Sequence, residues 1–122
     1  MTSDSFRTLA LALPGVEERA HMNHPDFRVG GKIFATLGYP EVGWAMVALT
    51  PEDQVAFVSM KPEAFAPVKG KWGVQGATNI VLRHARVPAV RAALAAAYEA
   101  RVNKTAAGRR RRPAPRSRRR AT

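Results

Sequence analysis

The first 13 residues carry a hydrophobic pattern with the period of an α-helix. Ser3 is a suitable N-cap residue, and Pro14-Gly15 ends the pattern. The sequence therefore predicts a helix over residues 3–13 and a loop over residues 16–20. Four apolar residues would form the buried stripe of this helix: Phe6, Leu9, Ala10 and Leu13.

The next part of the chain alternates with the period of a β-strand. Phe27 and Val29 alternate with Asp26 and Arg28, which directs one face toward a core. Gly30-Gly31 then accepts the positive φ angles of a two-residue hairpin turn. The pattern predicts three strands, over residues 26–29, 32–37 and 42–49.

The second half of the chain predicts two helices and two further strands. Thr50 caps a helix whose first position is Pro51 and which continues to about Met60. An apolar stripe indicates the second helix, over residues 87–102. Between the helices we expect a turn at 63–65 and strands at 70–76 and 79–84.

The predicted element order is α-β-β-β-α-β-β-α. Helices at both ends with strands between them are typical of an α+β sandwich. We therefore expect a mainly antiparallel sheet that packs on the N- and C-terminal helices. With 122 residues, the chain has room for one such domain.

The positive charge of the protein is concentrated at its C-terminal end. The net charge is +11, and residues 103–122 supply +9 of it, with nine Lys or Arg and no acid. Residues 1–102 carry 11 basic and 9 acidic residues. Because residues 103–122 have no large apolar side chain, the sequence predicts a folded domain over 1–102 and a disordered basic tail over 103–122.

Several classes of function find no support in the composition. The chain has no cysteine, which excludes disulfides, thiolate catalysis and cysteine-ligated metals. It has no HExxH motif, P-loop, GxGxxG or nucleophile elbow, so we expect neither an enzyme nor a bound cofactor. It also lacks an apolar run of about 20 residues, and we expect a soluble, cytoplasmic protein.

The basic tail and a basic, aromatic set in the domain are the candidate nucleic-acid contacts. Arginine binds phosphate through a planar fork of donors, and nine cations on duplex DNA would give a salt slope of about −8. There is an alternative for each set. The basic tail could reflect only a biased composition, and Trp72 could be buried in the core. The domain candidates are Arg28, Lys32, Lys61, Lys69, Lys71, Trp72 and Arg83. The tail candidates are Arg109, Arg110, Arg111, Arg112, Arg118, Arg119 and Arg120.

His21, His24 and Asp26 form a second candidate cluster. Two imidazoles and a carboxylate within six residues can bind a metal. However, Pro25 extends the backbone before Asp26, so neighbouring side chains diverge. We favour a structural role for the three residues and expect no metal.

Two motifs make the chain resemble a known family. Leu-Pro-Gly-Val-Glu-Glu at 13–18 is followed by His-Pro-Asp-Phe-Arg-Val-Gly-Gly-Lys-Ile-Phe-Ala at 24–35. In this order they resemble the MmcQ/YjbR family of small bacterial proteins, over roughly residues 5–102. The resemblance implies a CyaY-like (frataxin-like) fold and DNA binding through two wing-like basic loops.

We therefore expect a DNA-binding protein that is largely non-sequence-specific. The basic hairpin and loops of the domain would contact DNA together with the arginine-rich tail. The alternative is a non-enzymatic protein- or peptide-interaction domain, with the groove near 24–32 or the sheet face as its site. In either case we expect a monomer without membrane contact.

Overall fold

The computed structural model describes the backbone of residues 1–110 and the side chains of residues 1–103. Within this range, the helices are α1 (Ser3–Leu11), α2 (Pro51–Met60), α3 (Lys71–Val74) and α4 (Val87–Arg110), with a 3₁₀ turn at Leu82–His84. The strands are β1 (Glu17–His21), β2 (His24–Val29), β3 (Lys32–Leu37), β4 (Trp44–Ala48), β5 (Phe65–Pro67) and β6 (Ala77–Val81).

The six strands form one antiparallel sheet in the order β1-β2-β3-β4-β6-β5. Helices α1 and α4 pack against each other and against one face of the central strands. The predicted α+β architecture, with the terminal helices on one side of an antiparallel sheet, is therefore confirmed. Within the described residues, every helix is too short or too polar to span a lipid bilayer.

The core lies between the two terminal helices and the sheet. The rings of Phe6 in α1 and Phe27 in β2 meet edge to face, with centroids 6.0 Å apart. Ala35, Val47 and Ile80 continue the buried face across β3, β4 and β6. Burying such side chains contributes roughly 1.5–3 kcal/mol for each large one.

A β-bulge adds one more aromatic residue to this core. Phe27 pairs with Ala35 and Arg28 pairs with Ile33, so Phe34 has no partner on β2. The Phe34 side chain is fully buried and contacts Tyr98 of α4, with ring centroids 5.8 Å apart. The bulge thereby fixes α4 on the sheet.

The predicted loop at 16–20 is wrong, because this segment forms the edge strand β1. Its five residues are all exposed, so it lacks the alternating pattern of a half-buried strand. Met22 and Asn23 join it to β2 with φ angles of 52° and 67°, as in a type I′ turn. The sequence did not indicate this turn, because neither of its two central residues is glycine.

The predicted strand at 70–76 is also wrong, since residues 71–74 form the short helix α3. The strand of this region is β5, which starts where a turn was expected at 63–65. Strand β6 starts and ends earlier than the predicted 79–84, and the 3₁₀ turn follows it. In a short apolar segment rich in glycine, the hydrophobic pattern does not distinguish a strand from a short helix or a turn.

Helices α1 and α2 are each capped by a threonine side chain. Thr50 accepts a hydrogen bond from the backbone N–H of Asp53, as predicted. In α1 the cap is Thr2 rather than the expected Ser3, because the Thr2 hydroxyl accepts from the N–H of Ser5.

Helix α4 is longer than the pattern predicted. It continues to Arg110, whereas the sequence predicted an end at 102 and a disordered tail from 103. Residues 103–110 contain alanine, lysine and arginine, which have high helix propensity. The rest of the predicted tail, residues 111–122, lies outside the described residues.

Candidate nucleic-acid interface

An exposed tryptophan lies on the segment between β5 and β6, which we call the Trp72 loop (residues 69–76). Lys69, Lys71 and Trp72 are all exposed, and Trp72 is exposed at 68%. The alternative that Trp72 is a core residue is therefore wrong. A large apolar side chain in this position contributes little to the core and is available to a partner.

A buried glutamine fixes the Trp72 loop to the domain. The side-chain nitrogen Nε2 of Gln54 in α2 donates to the carbonyl oxygens of Gly73 and Ala77, both at 2.9 Å. Because both acceptors flank the end of the loop, Gln54 ties α3 to the start of β6. Gln54 was not among the predicted site residues, because its only sign in the sequence is a polar side chain on a short helix.

Two glycines allow the Trp72 loop to approach its neighbours closely. A Cβ atom on Gly73 would overlap the carbonyl oxygen of Val68, and one on Gly76 would overlap that of Leu49. Gly76 also has a φ of +117°, which other residues rarely adopt. The loop is therefore held by the backbone on one side while Trp72 faces solvent.

Four of the predicted contacts, Lys32 and the Trp72 loop residues Lys69, Lys71 and Trp72, lie at the same end of the sheet, which we call the hairpin end. Val68 donates to Ala77 at the start of β6, so the Trp72 loop leaves the sheet there. The antiparallel register places Lys32, at the start of β3, at this end as well. Arg101 of α4 donates to the carbonyl of Ile33 at 2.8 Å, so the C-terminal part of α4 also reaches it.

The arginine-rich segment follows the part of α4 that contacts the hairpin end. Nine residues separate Arg101 from Arg110, which corresponds to about 13 Å of helix. Helix α4 thus continues through Arg109 and Arg110, beyond its contact with Ile33. The candidates Arg111, Arg112, Arg118, Arg119 and Arg120 lie outside the described residues.

Acidic residues limit the positive charge of the hairpin end. Glu52 and Asp53 occupy the first turn of α2, where the helix dipole favours them. This turn follows β4 directly and therefore lies at the same end as Lys69 and Lys71. The lysines of the domain alone would consequently give weak, strongly salt-dependent attraction to phosphate.

Arg28 is engaged in an ion pair within the domain. Its Nε lies 2.8 Å from Asp26 Oδ1 and its Nη2 lies 3.1 Å from Asp26 Oδ2. The Nδ1 atom of His21 lies 2.8 Å from the same carboxylate. A phosphate would have to displace this carboxylate, so Arg28 does not join the other candidates at the hairpin end.

Asp26 is fully buried under these two partners. The hydrogen bonds from Arg28 lower the pKa of the Asp26 carboxyl below 3.8, burial opposes this effect, and the bond with His21 lowers it further. A lowered pKa stabilises the fold above pH 3.8, and this contribution disappears as the pH falls through the folded-state pKa.

Replacing Asp26 by asparagine should remove this pH dependence. We expect Asp26→Asn to cost about 1–2 kcal/mol of unfolding free energy near pH 7, because two charge-assisted hydrogen bonds are lost. Urea unfolding at about pH 7 and pH 3 measures the difference, which should shrink at the lower pH. Asp4→Asn is the control, since its carboxylate is 94% exposed and should cost little. An equal loss of unfolding free energy at both pH values would contradict a stabilising role of the ionised Asp26 carboxylate.

The remaining domain candidates lie at the opposite end of the sheet. Arg83 follows the end of β6, and Lys61 lies shortly before the start of β5. These two ends are adjacent, because the carbonyl of Ala64, just before β5, accepts a hydrogen bond from the N–H of Val81 in β6. The length of β6 separates them from the Trp72 loop by about 13 Å. The predicted set therefore does not form one surface.

The histidine cluster has a different structure from a metal site. His21 contacts Asp26, whereas the ring of His24 packs on Tyr39 at a centroid distance of 5.4 Å. In the part of the chain that the structure describes, no group of three or more His, Cys, Asp or Glu side chains is placed to hold a metal ion.

Comparison with known proteins supports one family. The family model described as YjbR matches residues 11–100. The fold is similar to that of Deinococcus radiodurans protein DR2400, a crystal structure with the family-model domain DUF419. That similarity has a TM-score of 0.70 at 16% sequence identity, over 85% of this chain and 80% of that chain. No curated protein matched the sequence.

Proposed function

The chain belongs to the YjbR family, and from this and the geometry of the hairpin end we propose that it binds DNA, largely without sequence preference. One observation carries the proposal, namely the exposed Trp72, which directly follows Lys71 and comes three residues after Lys69, on a loop that Gln54 anchors to the domain. An anchored loop presents the indole without an ordering cost on binding.

The indole and the lysines would act on different parts of a nucleic acid. Trp72 would stack on an unpaired base, which is worth about 1–3 kcal/mol per base and tolerates any sequence. Lys69, Lys71 and Lys32 would contact phosphates as point charges. Because lysine ammonium groups and a stacked indole do not distinguish one base from another, the phosphate contacts would fix the position of the DNA, and little direct readout of its sequence would occur.

The arginine-rich segment would supply most of the electrostatic affinity. It continues from α4, whose Arg101 contacts the hairpin end at Ile33, and carries eight arginines between 109 and 120. Each neutralised phosphate releases condensed counterions, so this contribution falls steeply with salt. The acidic start of α2 explains why the domain would need such a segment.

A protein partner is the second candidate function. Besides Trp72, the exposed apolar side chains include Val74 of the same loop, at 78%, and Val55 of α2, which follows the anchoring Gln54, at 64%. DNA binding does not require these two residues. A peptide or protein with apolar side chains would cover this surface. Either function is one of binding, and we propose no catalysis and no cofactor. The frataxin-like class of the fold is likewise a proposal from the family resemblance.

The emission of Trp72 tests the proposal directly. In a protein with Trp44→Phe, Trp72 is the remaining tryptophan of the chain, and we expect single-stranded DNA to quench it. Lys69→Glu with Lys71→Glu should weaken this binding at least about tenfold, since opposite charges then face the phosphates. Arg19→Glu with Arg91→Glu is the matched control, because it makes the same change in net charge at exposed positions elsewhere. Loss of affinity in both variants alike would favour non-specific charge over the Trp72 loop.

A further inference from the structure

A polar cleft of about 370 Å³ lies at the end of the sheet opposite the Trp72 loop. We call it the arginine cleft, and its lining consists of Lys61, Glu63, Arg83, His84, Ala85 and Arg86. Three cationic side chains thus share one concave surface with a single carboxylate. In residues 1–103, none of these three cations forms an ion pair with an acid.

The backbone holds the segments of the arginine cleft in fixed positions. The N–H of Val81 donates to Ala64 at 2.8 Å, and that of Leu82 donates to Gly43 at 3.0 Å. Ala64, Leu82 and Ala85 are buried. The cations therefore extend from anchored turns, which lowers the entropy lost when they meet a ligand.

The charges of the cleft are unfavourable for the free protein. Arg86 immediately precedes α4, and its carbonyl accepts the N–H of Val90 at 3.0 Å. The side chain at this cap position has no acceptor, and the first turn of α4 has no acid. Cations beside the positive end of a helix repel it, and they also repel one another. A bound anion would relieve both effects.

We propose that the arginine cleft binds a phosphate monoester group. The planar forks of Arg83 and Arg86 match paired phosphate oxygens, and Lys61 adds a point charge. The phosphate could belong to a free nucleotide or to the 5′ end of a nucleic-acid strand. This site is separate from the Trp72 loop, because β6 places them about 13 Å apart, and it does not depend on the proposed DNA binding.

Amide chemical shifts of the full chain, measured by NMR, test the site. We expect inorganic phosphate and a nucleoside monophosphate to cause saturable shifts at Lys61, Glu63 and residues 83–87. Arg83→Gln with Arg86→Gln should weaken this binding at least about tenfold, which corresponds to about 1.4 kcal/mol. Arg91→Gln, a matched change at an exposed position of α4 outside the cleft, should leave it unchanged. Unchanged melting of the variants excludes unfolding as the cause.

Two oligonucleotides distinguish the sources of the phosphate. If a 5′-phosphorylated strand shifts the cleft residues and its 5′-hydroxyl counterpart does not, the ligand is a strand end. If the mononucleotide alone binds, the ligand is a free nucleotide, and the site is again supported. The proposal is overturned if no probe causes saturable shifts at the cleft, or if the double variant binds as tightly as Arg91→Gln.

Discussion

We expect DNA affinity to lose most of its salt dependence when the eight arginines between residues 109 and 120 are replaced by glutamine. The net charge then falls from +11 to +3. If all eight arginines neutralise phosphates, the slope of log affinity against log salt on duplex DNA becomes less steep by about 7. Titrations of the same duplex at several salt concentrations measure this slope for both proteins.

Glutamine suits this comparison because its helix propensity is close to that of arginine. The circular dichroism and the urea midpoint of the variant should therefore match those of the wild type. Arg19→Gln with Arg91→Gln should change the slope by less than about 2, since it removes two charges outside the interface. An unchanged slope in the eight-glutamine protein would show that the arginine-rich segment does not contact DNA.

Gly73→Ala should cause a large loss of stability through the Trp72 loop. The added methyl group would overlap the carbonyl oxygen of Val68, which is backbone and cannot rotate away. The loop must then shift and break the hydrogen bond from Gln54. We expect a cost of about 3 kcal/mol, measured as a lower urea midpoint.

Gly31→Ala separates overlap from backbone strain. Gly31 has a φ of +80°, but no atom lies within 4 Å of the position that a Cβ would take, so its substitution meets backbone strain alone. We expect about 1–2 kcal/mol for this change. If Gly73→Ala cost no more than Gly31→Ala, the loop would be able to move, and the rigid presentation of Trp72 would be wrong.

The sequence predicted the elements that have one buried face or a clear cap. The stripe around Phe6 and Ala10 identified α1, and Thr50 with Pro51 identified the start of α2. The turn at Gly30-Gly31 placed the hairpin of β2 and β3. These signals are local, because each depends on side chains within one turn of helix or one strand.

The sequence did not predict elements whose stability comes from distant partners. Strand β1 is exposed throughout and depends on its pairing with β2. Helix α3 depends on Gln54, which is 19 residues away from Gly73. The exposure of Trp72 follows from that anchor and has no local pattern. For the same reason, the sequence did not show that the basic residues are divided between the two ends of the sheet, because that division follows from the strand register.

The central claim is that the folded domain has its own nucleic-acid surface at Trp72. The emission of Trp72 in the eight-glutamine protein, with Trp44→Phe, tests it without the contribution of the arginine-rich segment. At low salt, we predict saturable quenching by single-stranded DNA that Lys69→Glu with Lys71→Glu abolishes. Emission that stays constant while DNA binds, or no binding at all, would contradict the claim and leave DNA affinity to the arginine-rich segment.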